Sequence, residues 1–199
     1  MSGPTVDIKL TVNGEPVVET VEARKSLVDF LREDLALTGS HVGCEHGVCG
    51  ACTVRVNDVI VRGCLMLAAQ CDGAKVETIE GVSDAGEIAD LQEAFEKRNA
   101  LQCGFCTPGM LLTAQELLAH CSTPSREQIR EQISGNYCRC TGYHAIVDAI
   151  EAVAQARLSS SFRGASAASE PGIHANSTGS MDSGFGPSGR PGMTAERPR

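Results

Sequence analysis

The chain has 199 residues, and 17 Lys and Arg set against 25 Asp and Glu leave a formal charge of -8 at pH 7. No basic run offers itself to a phosphate backbone, which excludes nucleic acid as the expected partner. The N-terminus MSGPTVDIKL has no basic-then-apolar leader and no twin-Arg pair, and no stretch is long and apolar enough to span a bilayer, so a cytoplasmic, reducing location is expected.

In such a compartment ten cysteines suit metal ligation or redox chemistry better than disulfides. Aromatic residues make up 4% of the chain and Trp is absent, so any core must be aliphatic and thin. Two domains of roughly 75 to 85 residues would each be marginal on burial alone, and metal sites that tie distant ligands together would then be structural as well as functional.

Val6, Ile8, Leu10 and Val12 alternate with polar residues, Asn13-Gly14 turns the chain, and Val17, Val18 and Val21 continue the pattern, which predicts a β-hairpin. Ser26 precedes LVDFLREDL with Asp29 as a capping partner, and Leu27, Leu31 and Leu35 lie one helical turn apart. An amphipathic helix is expected there.

His41 to Cys64 then reads HVGCEHGVCGACTVRVNDVIVRGC. Cys44, Cys49 and Cys52 fall as C-x4-C-x2-C, with Cys64 after a short β-like run, the spacing by which plant-type ferredoxins hold a [2Fe-2S] cluster. Ligands so close require tight bends, and Gly43, Gly47 and Gly50 permit them. Thr53 to Val56 and Val59 to Val61 flank Asn57-Asp58 as a second hairpin, and Val76 to Ile79 makes a last strand. The first 80 residues therefore predict a small α+β domain, with 81–86 as a linker.

Beyond the linker the period lengthens to about 3.6 and four helices are expected over residues 87–158. Asp90 with Glu93 opens the first, Thr107-Pro108 the second, Thr123-Pro124 the third and Thr141 the fourth. The apolar stripes are Leu91, Ala94 and Phe95; Met110, Ala114, Leu117 and Leu118; Ile129 and Ile133; and Ile146, Ile150, Val153 and Leu158. Together they predict a four-helix bundle. From 159 to 199 the chain is Ser, Gly, Ala and Pro with scattered charges, the composition of a disordered tail or of an arm that orders against a partner.

Four more cysteines sit in this half. Cys103-x2-Cys106 and Cys138-x-Cys140 each precede an expected helix start, so convergence of two helix N-termini would set four sulfurs where free N–H groups favour an anionic cluster. A four-cysteine zinc site stays open on spacing alone. A dithiol redox pair at Cys103 and Cys106 lacks its βαβ setting, and Cys/His ligation of the Rieske kind through Cys44 and His46 lacks a matching Cys-x2-His. Cys71 competes with Cys64 as fourth ligand of the first set; Cys64 is preferred because Gly63 and the second hairpin return it to the loop. Cys121 reads as an inert thiol.

CEHGVCGACTV, QCGFCTPGM and NYCRCTGY resemble the signature segments of the iron-sulfur subunit of the molybdenum hydroxylases, the family of xanthine dehydrogenase and aerobic carbon monoxide dehydrogenase. The likeness runs from about Val6 to Leu158. It implies iron rather than zinc: a ferredoxin-like (β-grasp) domain with one [2Fe-2S] cluster on Cys44, Cys49, Cys52 and Cys64, and a helical domain with a second on Cys103, Cys106, Cys138 and Cys140. It further implies a molybdopterin-binding large subunit and an FAD-binding medium subunit as partners in a dimer of heterotrimers. Gln102 matches a glutamine that contacts the pterin, and Cys140 would be the ligand nearest it. The expected function is electron transfer from molybdopterin to FAD, one electron at a time. A free-standing two-cluster ferredoxin and a structural zinc protein are the alternatives.

Overall fold

A computed structural model describes residues 3–166. Strands β1 (Thr5–Val12) and β2 (Glu15–Glu22) form the first expected hairpin, with Val12 opposite Glu15. Asn13 and Gly14 both take positive φ, 51° and 86°, the mirror-image turn whose twist matches antiparallel strands. Strands β3 (Thr53–Val56) and β4 (Val59–Arg62) repeat the device around Asn57 and Asp58.

Strand β5 (Lys75–Glu77) joins the two hairpins, parallel to β1 and antiparallel to β3, which gives the order β2-β1-β5-β3-β4. It stops short of Ile79. Thr78 donates its N–H to Asn13 Oδ1 at 2.8 Å, and its hydroxyl accepts from Asn13 Nδ2 at 3.0 Å, so a side chain ends the pairing.

Helix α1 (Leu27–Asp29) covers this sheet and widens into a π-helical turn over Phe30–Asp34. Ser26 caps it, accepting the Asp29 N–H at 3.1 Å and donating its hydroxyl to Asp29 Oδ2 at 2.6 Å. Leu27, Phe30 and Leu31 are buried in one cluster with Ile8, Leu10, Val12, Val54, Val56 and Val76.

The segment expected as a linker is largely helical. Helix α2 (Ile79–Asp84) runs through it and buries Val82 in the second core. Helices α3 (Ala89–Lys97), α4 (Thr107–His120), α5 (Arg126–Ile133) and α6 (His144–Ser166) follow. Helices α3 and α5 both pack on α6, and α4 packs on α3 and α5. Leu91, Phe95, Met110, Leu112, Ile129, Ile133, Ile146 and Ile150 fill the space between them.

Four helix starts differ from expectation. Thr107 is the first residue of α4 rather than its cap; Cys106 stands at the capping position and no side chain caps the helix. No side chain caps α3; Ile88 stands at the capping position. Ser125, not Thr123, caps α5, because Gln128 can reach back to it: Ser125 Oγ accepts the Gln128 N–H at 3.2 Å and Gln128 Oε1 accepts the Ser125 N–H at 2.8 Å. Helix α6 opens at His144 and not at Thr141, since Tyr143 has φ +65°, a left-handed conformation that cannot enter a right-handed helix. At its other end α6 continues past Leu158 to Ser166. Most of the predicted tail, 167–199, lies outside the described residues.

The two halves meet where α4 packs against β3 and β4. Among the described residues no helix is long and apolar enough to cross a membrane.

Candidate metal centres

The loop between the π-helical turn and β3 is held at both ends. Arg32 Nη1 donates to Thr38 O at 2.7 Å and to Ser40 O at 2.8 Å, and the His41 N–H reaches Ala51 O at 3.1 Å. Between these anchors Glu45, Gly47 and Gly50 all take positive φ, and the chain folds back on itself. Gly47, at φ +86°, takes a conformation that favours glycine, and the nearest atoms a Cβ there would meet are those of the exposed Leu65 side chain.

Cys44 and Cys49 face each other in this loop, with the Cys49 N–H 3.4 Å from Cys44 Sγ. The amides of His46 and Cys49 donate to the same sulfur and lower the Cys44 thiol to about 6, a site prepared for negative charge. Cys64 leaves β4 just after Gly63, whose N–H bonds Cys52 O at 3.0 Å. Its thiol meets that of Cys52, and burial, followed by this contact, pushes it up to about 11; the charge of Cys44 is also felt there. Cys71 lies elsewhere, fully buried in the sheet core with its sulfur over Leu67 O, and burial alone pushes its thiol up to about 11. His46 is exposed and turns Nδ1 to the carbonyl of Cys44.

The second set assembles from two distant loops. Cys103 and Cys140 are exposed, with sulfurs 3.4 Å apart. The amide of Phe105, and then Cys140, lower the Cys103 thiol, while sharing with Cys103 raises that of Cys140. Cys106 is buried and pairs with Cys138; burial first and Cys138 next push it up to about 12. At Cys138 burial opposes ionisation, yet the Thr141 hydroxyl at 3.0 Å and amide at 3.3 Å both donate to the sulfur and leave the thiol below its ordinary range.

Among the described residues only α4 begins directly at a cysteine, one residue after Cys106. On the Cys138 side the donors of Thr141 stand where a second helix N-terminus was expected. Among the described residues no three His, Cys, Asp or Glu side chains are grouped so as to hold a single metal ion. The thiols approach in twos.

Several polar contacts join the two loops. The Tyr137 N–H donates to Cys49 O at 2.8 Å, Asn136 Nδ2 to Gly50 O at 3.2 Å, and Arg62 Nη2 to Gly135 O at 2.8 Å. The His41 ring stacks on Phe105 with centroids 4.7 Å apart, and its Nδ1 lies 2.7 Å from Phe105 O. Gln102 is exposed beside Cys103. Asn136, Tyr137, Thr141 and Tyr143 all fall inside the segment NYCRCTGY, but nothing in their type or spacing marks them as loop-joining or sulfur-facing residues.

Two family models match the chain, "2Fe-2S iron-sulfur cluster binding domain" over residues 10–80 and "[2Fe-2S] binding domain" over residues 78–151. The gamma subunit of caffeine dehydrogenase from Pseudomonas sp. (strain CBB1) is 51% identical over 149 residues, a match covering 73% of this chain and 89% of that one. The small subunit of nicotine 6-hydroxylase from Paenarthrobacter nicotinovorans is 52% identical over 145 residues, covering 73% and 87%. The chain belongs to the iron-sulfur subunits of the molybdenum hydroxylases.

Solved structures of the family share the fold. Quinoline 2-oxidoreductase from Pseudomonas putida 86 superposes with a TM-score of 0.73 at 50% identity, over 78% of this chain and 97% of that one. Aldehyde oxidoreductase from Desulfovibrio gigas gives 0.72 at 40% identity over 78% of this chain, which spans 17% of that longer chain. As a small subunit of such an oxidoreductase, the chain serves electron transfer, and a free-standing carrier is disfavoured.

The donor sets fit [2Fe-2S] clusters. Each offers four thiols as two facing pairs, and each has N–H or O–H donors aimed at a sulfur that would carry negative charge.

Proposed function

We propose that Cys44, Cys49, Cys52 and Cys64 hold one [2Fe-2S] cluster, and that Cys103, Cys106, Cys138 and Cys140 hold a second. The observation that carries this reading is the pairing of side chains: Cys44 with Cys49 and Cys52 with Cys64, then Cys103 with Cys140 and Cys106 with Cys138. Two thiols to each of two irons suits that pattern, whereas zinc needs all four sulfurs around one point.

When bound, the clusters would carry single electrons, dividing the pair delivered at a molybdopterin site in a large subunit into successive transfers to FAD in a medium subunit. This chain's part is to hold the two sites in fixed relation through the Cys49 to Tyr137 contact and its neighbours. Gln102 and Cys140, exposed on the two loops that bring the second cysteine set together, face the pterin in this reading. Residues 1–80 act as the ferredoxin-like unit and 87–158 as a helical bundle, with α2 starting at Ile79 and covering 81–84 of the segment between them. The assembly is a dimer of heterotrimers in the cytoplasm, and the substrate is chosen by the large subunit.

Electron paramagnetic resonance of the dithionite-reduced complex, with iron and molybdenum counted in the same sample, tests this. Two distinct spin-half signals are expected. One signal, or none from iron-replete protein, overturns it.

A further inference from the structure

Cys138 is the one cysteine among the described residues whose sulfur accepts a hydrogen bond from a side-chain hydroxyl. Thr141 Oγ1 lies 3.0 Å from Cys138 Sγ and Thr141 N lies 3.3 Å from it. The direction of the hydroxyl bond follows from its other neighbour. Thr141 Oγ1 accepts the Tyr143 N–H at 3.4 Å, which leaves its proton for the sulfur.

Tyr143 closes the ring. Its Oη accepts the Cys138 N–H at 2.9 Å, and its backbone takes φ +65°, costly for an aromatic residue and sustained only where the surroundings enforce it. Residues 138 to 143 therefore form a loop held in an unfavourable conformation with two donors trained on one sulfur. Its pair partner Cys106 is buried beside it, while Cys103 and Cys140 are exposed. The two halves of the second cysteine set differ in both burial and hydrogen bonding.

We infer that Thr141 is a positioning residue, acting through Cys138, that would raise the reduction potential of the second cluster. A donor to a thiolate ligand offsets the negative charge gained on reduction and so favours the reduced form. Cys138 is also tied to the first cysteine loop through its neighbour: Tyr137 donates its N–H to Cys49 O at 2.8 Å.

This inference rests on the cluster assignment above, and the test separates the two. Redox titration of the two resonance signals in the assembled complex is compared for wild type, Thr141→Val, Thr141→Ala and Thr141→Ser. The Val and Ala variants should lower the reduced-to-oxidised ratio of the second cluster about tenfold at fixed poise, which is 59 mV for a one-electron couple. The first cluster should titrate unchanged, and Ser should restore the wild-type value. An unshifted second midpoint in Val and Ala overturns the inference. Loss of the second signal in both overturns it in favour of a purely structural hydroxyl. Absence of a second signal in wild type is a different failure, that of the cluster assignment.

Discussion

The carbonyl oxygen of Cys49 accepts the amide proton of Tyr137 at 2.8 Å, so a single hydrogen bond joins the backbone of one cysteine loop to the residue preceding a cysteine of the other. Tyr137 is 57% exposed, and exposure of this kind ordinarily goes with rapid amide exchange. The bond predicts the opposite. In hydrogen exchange followed residue by residue, Tyr137 should be among the most protected loop amides, and exchange at the rate of an open loop would remove the link.

The contact depends on glycine. A Cβ at Gly50 would stand 2.5 Å from Gly135 O, and one at Gly109 would run into Gly50 O. Gly50→Ala and Gly109→Ala should each destabilise the chain by about 1–3 kcal/mol through overpacking. Gly73→Ala separates the clash from the cost of φ, since Gly73 shares φ +73° with Gly50 but has nothing within 4 Å of the added carbon. Denaturant midpoints should place Gly50→Ala clearly below Gly73→Ala; equal midpoints would mean that the two loops do not press together.

Asn136, 1% exposed, bridges the halves by donating to Gly50 O while its Oδ1 accepts the Thr113 hydroxyl at 3.0 Å. Asn136→Leu strands a buried hydroxyl, a loss of about 1–3 kcal/mol. Thr113→Val added to it removes the stranded group, so the double variant should unfold at higher denaturant than the sum of the single changes allows. Strict additivity would show that the Thr113 to Asn136 bond contributes nothing.

Helices α3 and α6 are pinned by a two-pronged ion pair, Arg157 Nε and Nη2 at 2.6 and 2.8 Å from the Asp90 carboxylate. The guanidinium holds the Asp90 carboxyl below its ordinary range. A depressed carboxylate stabilises the fold above its unfolded value of about 4, and the contribution fades as pH falls through the lower folded value. With partial exposure discounted, Asp90→Asn should cost about 0.5–1 kcal/mol at pH 7. The gap from wild type should narrow below about pH 4. A gap that widens on acidification would contradict the pairing.

Cys64 meets Cys52, whereas Cys71 lies in the sheet core over Leu67 O. Cys64→Ser should therefore abolish one of the two resonance signals of the reduced complex, and Cys71→Ala should keep both while lowering thermal stability. Loss of a signal in Cys71→Ala with retention in Cys64→Ser would reverse the assignment.

What the amino-acid order determined by itself was short-range. The turns at Asn13-Gly14 and Asn57-Asp58, the Ser26 cap with Asp29, the start of α4 at Thr107-Pro108 and the closeness of Cys44, Cys49 and Cys52 all depend on partners a few residues away. Tertiary structure decided the rest. β5 aligns with β1 more than 60 positions upstream, Thr11 opposite Lys75, and α2 is helical in a stretch of turn-forming residues because Val82 finds a core to enter. Thr141 looked like a helix cap and became a donor to a thiol, because Tyr143 bends the chain away before the helix can begin. The bond from Tyr137 to Cys49 could not be read in advance, since it joins two backbone groups and no side-chain type announces it.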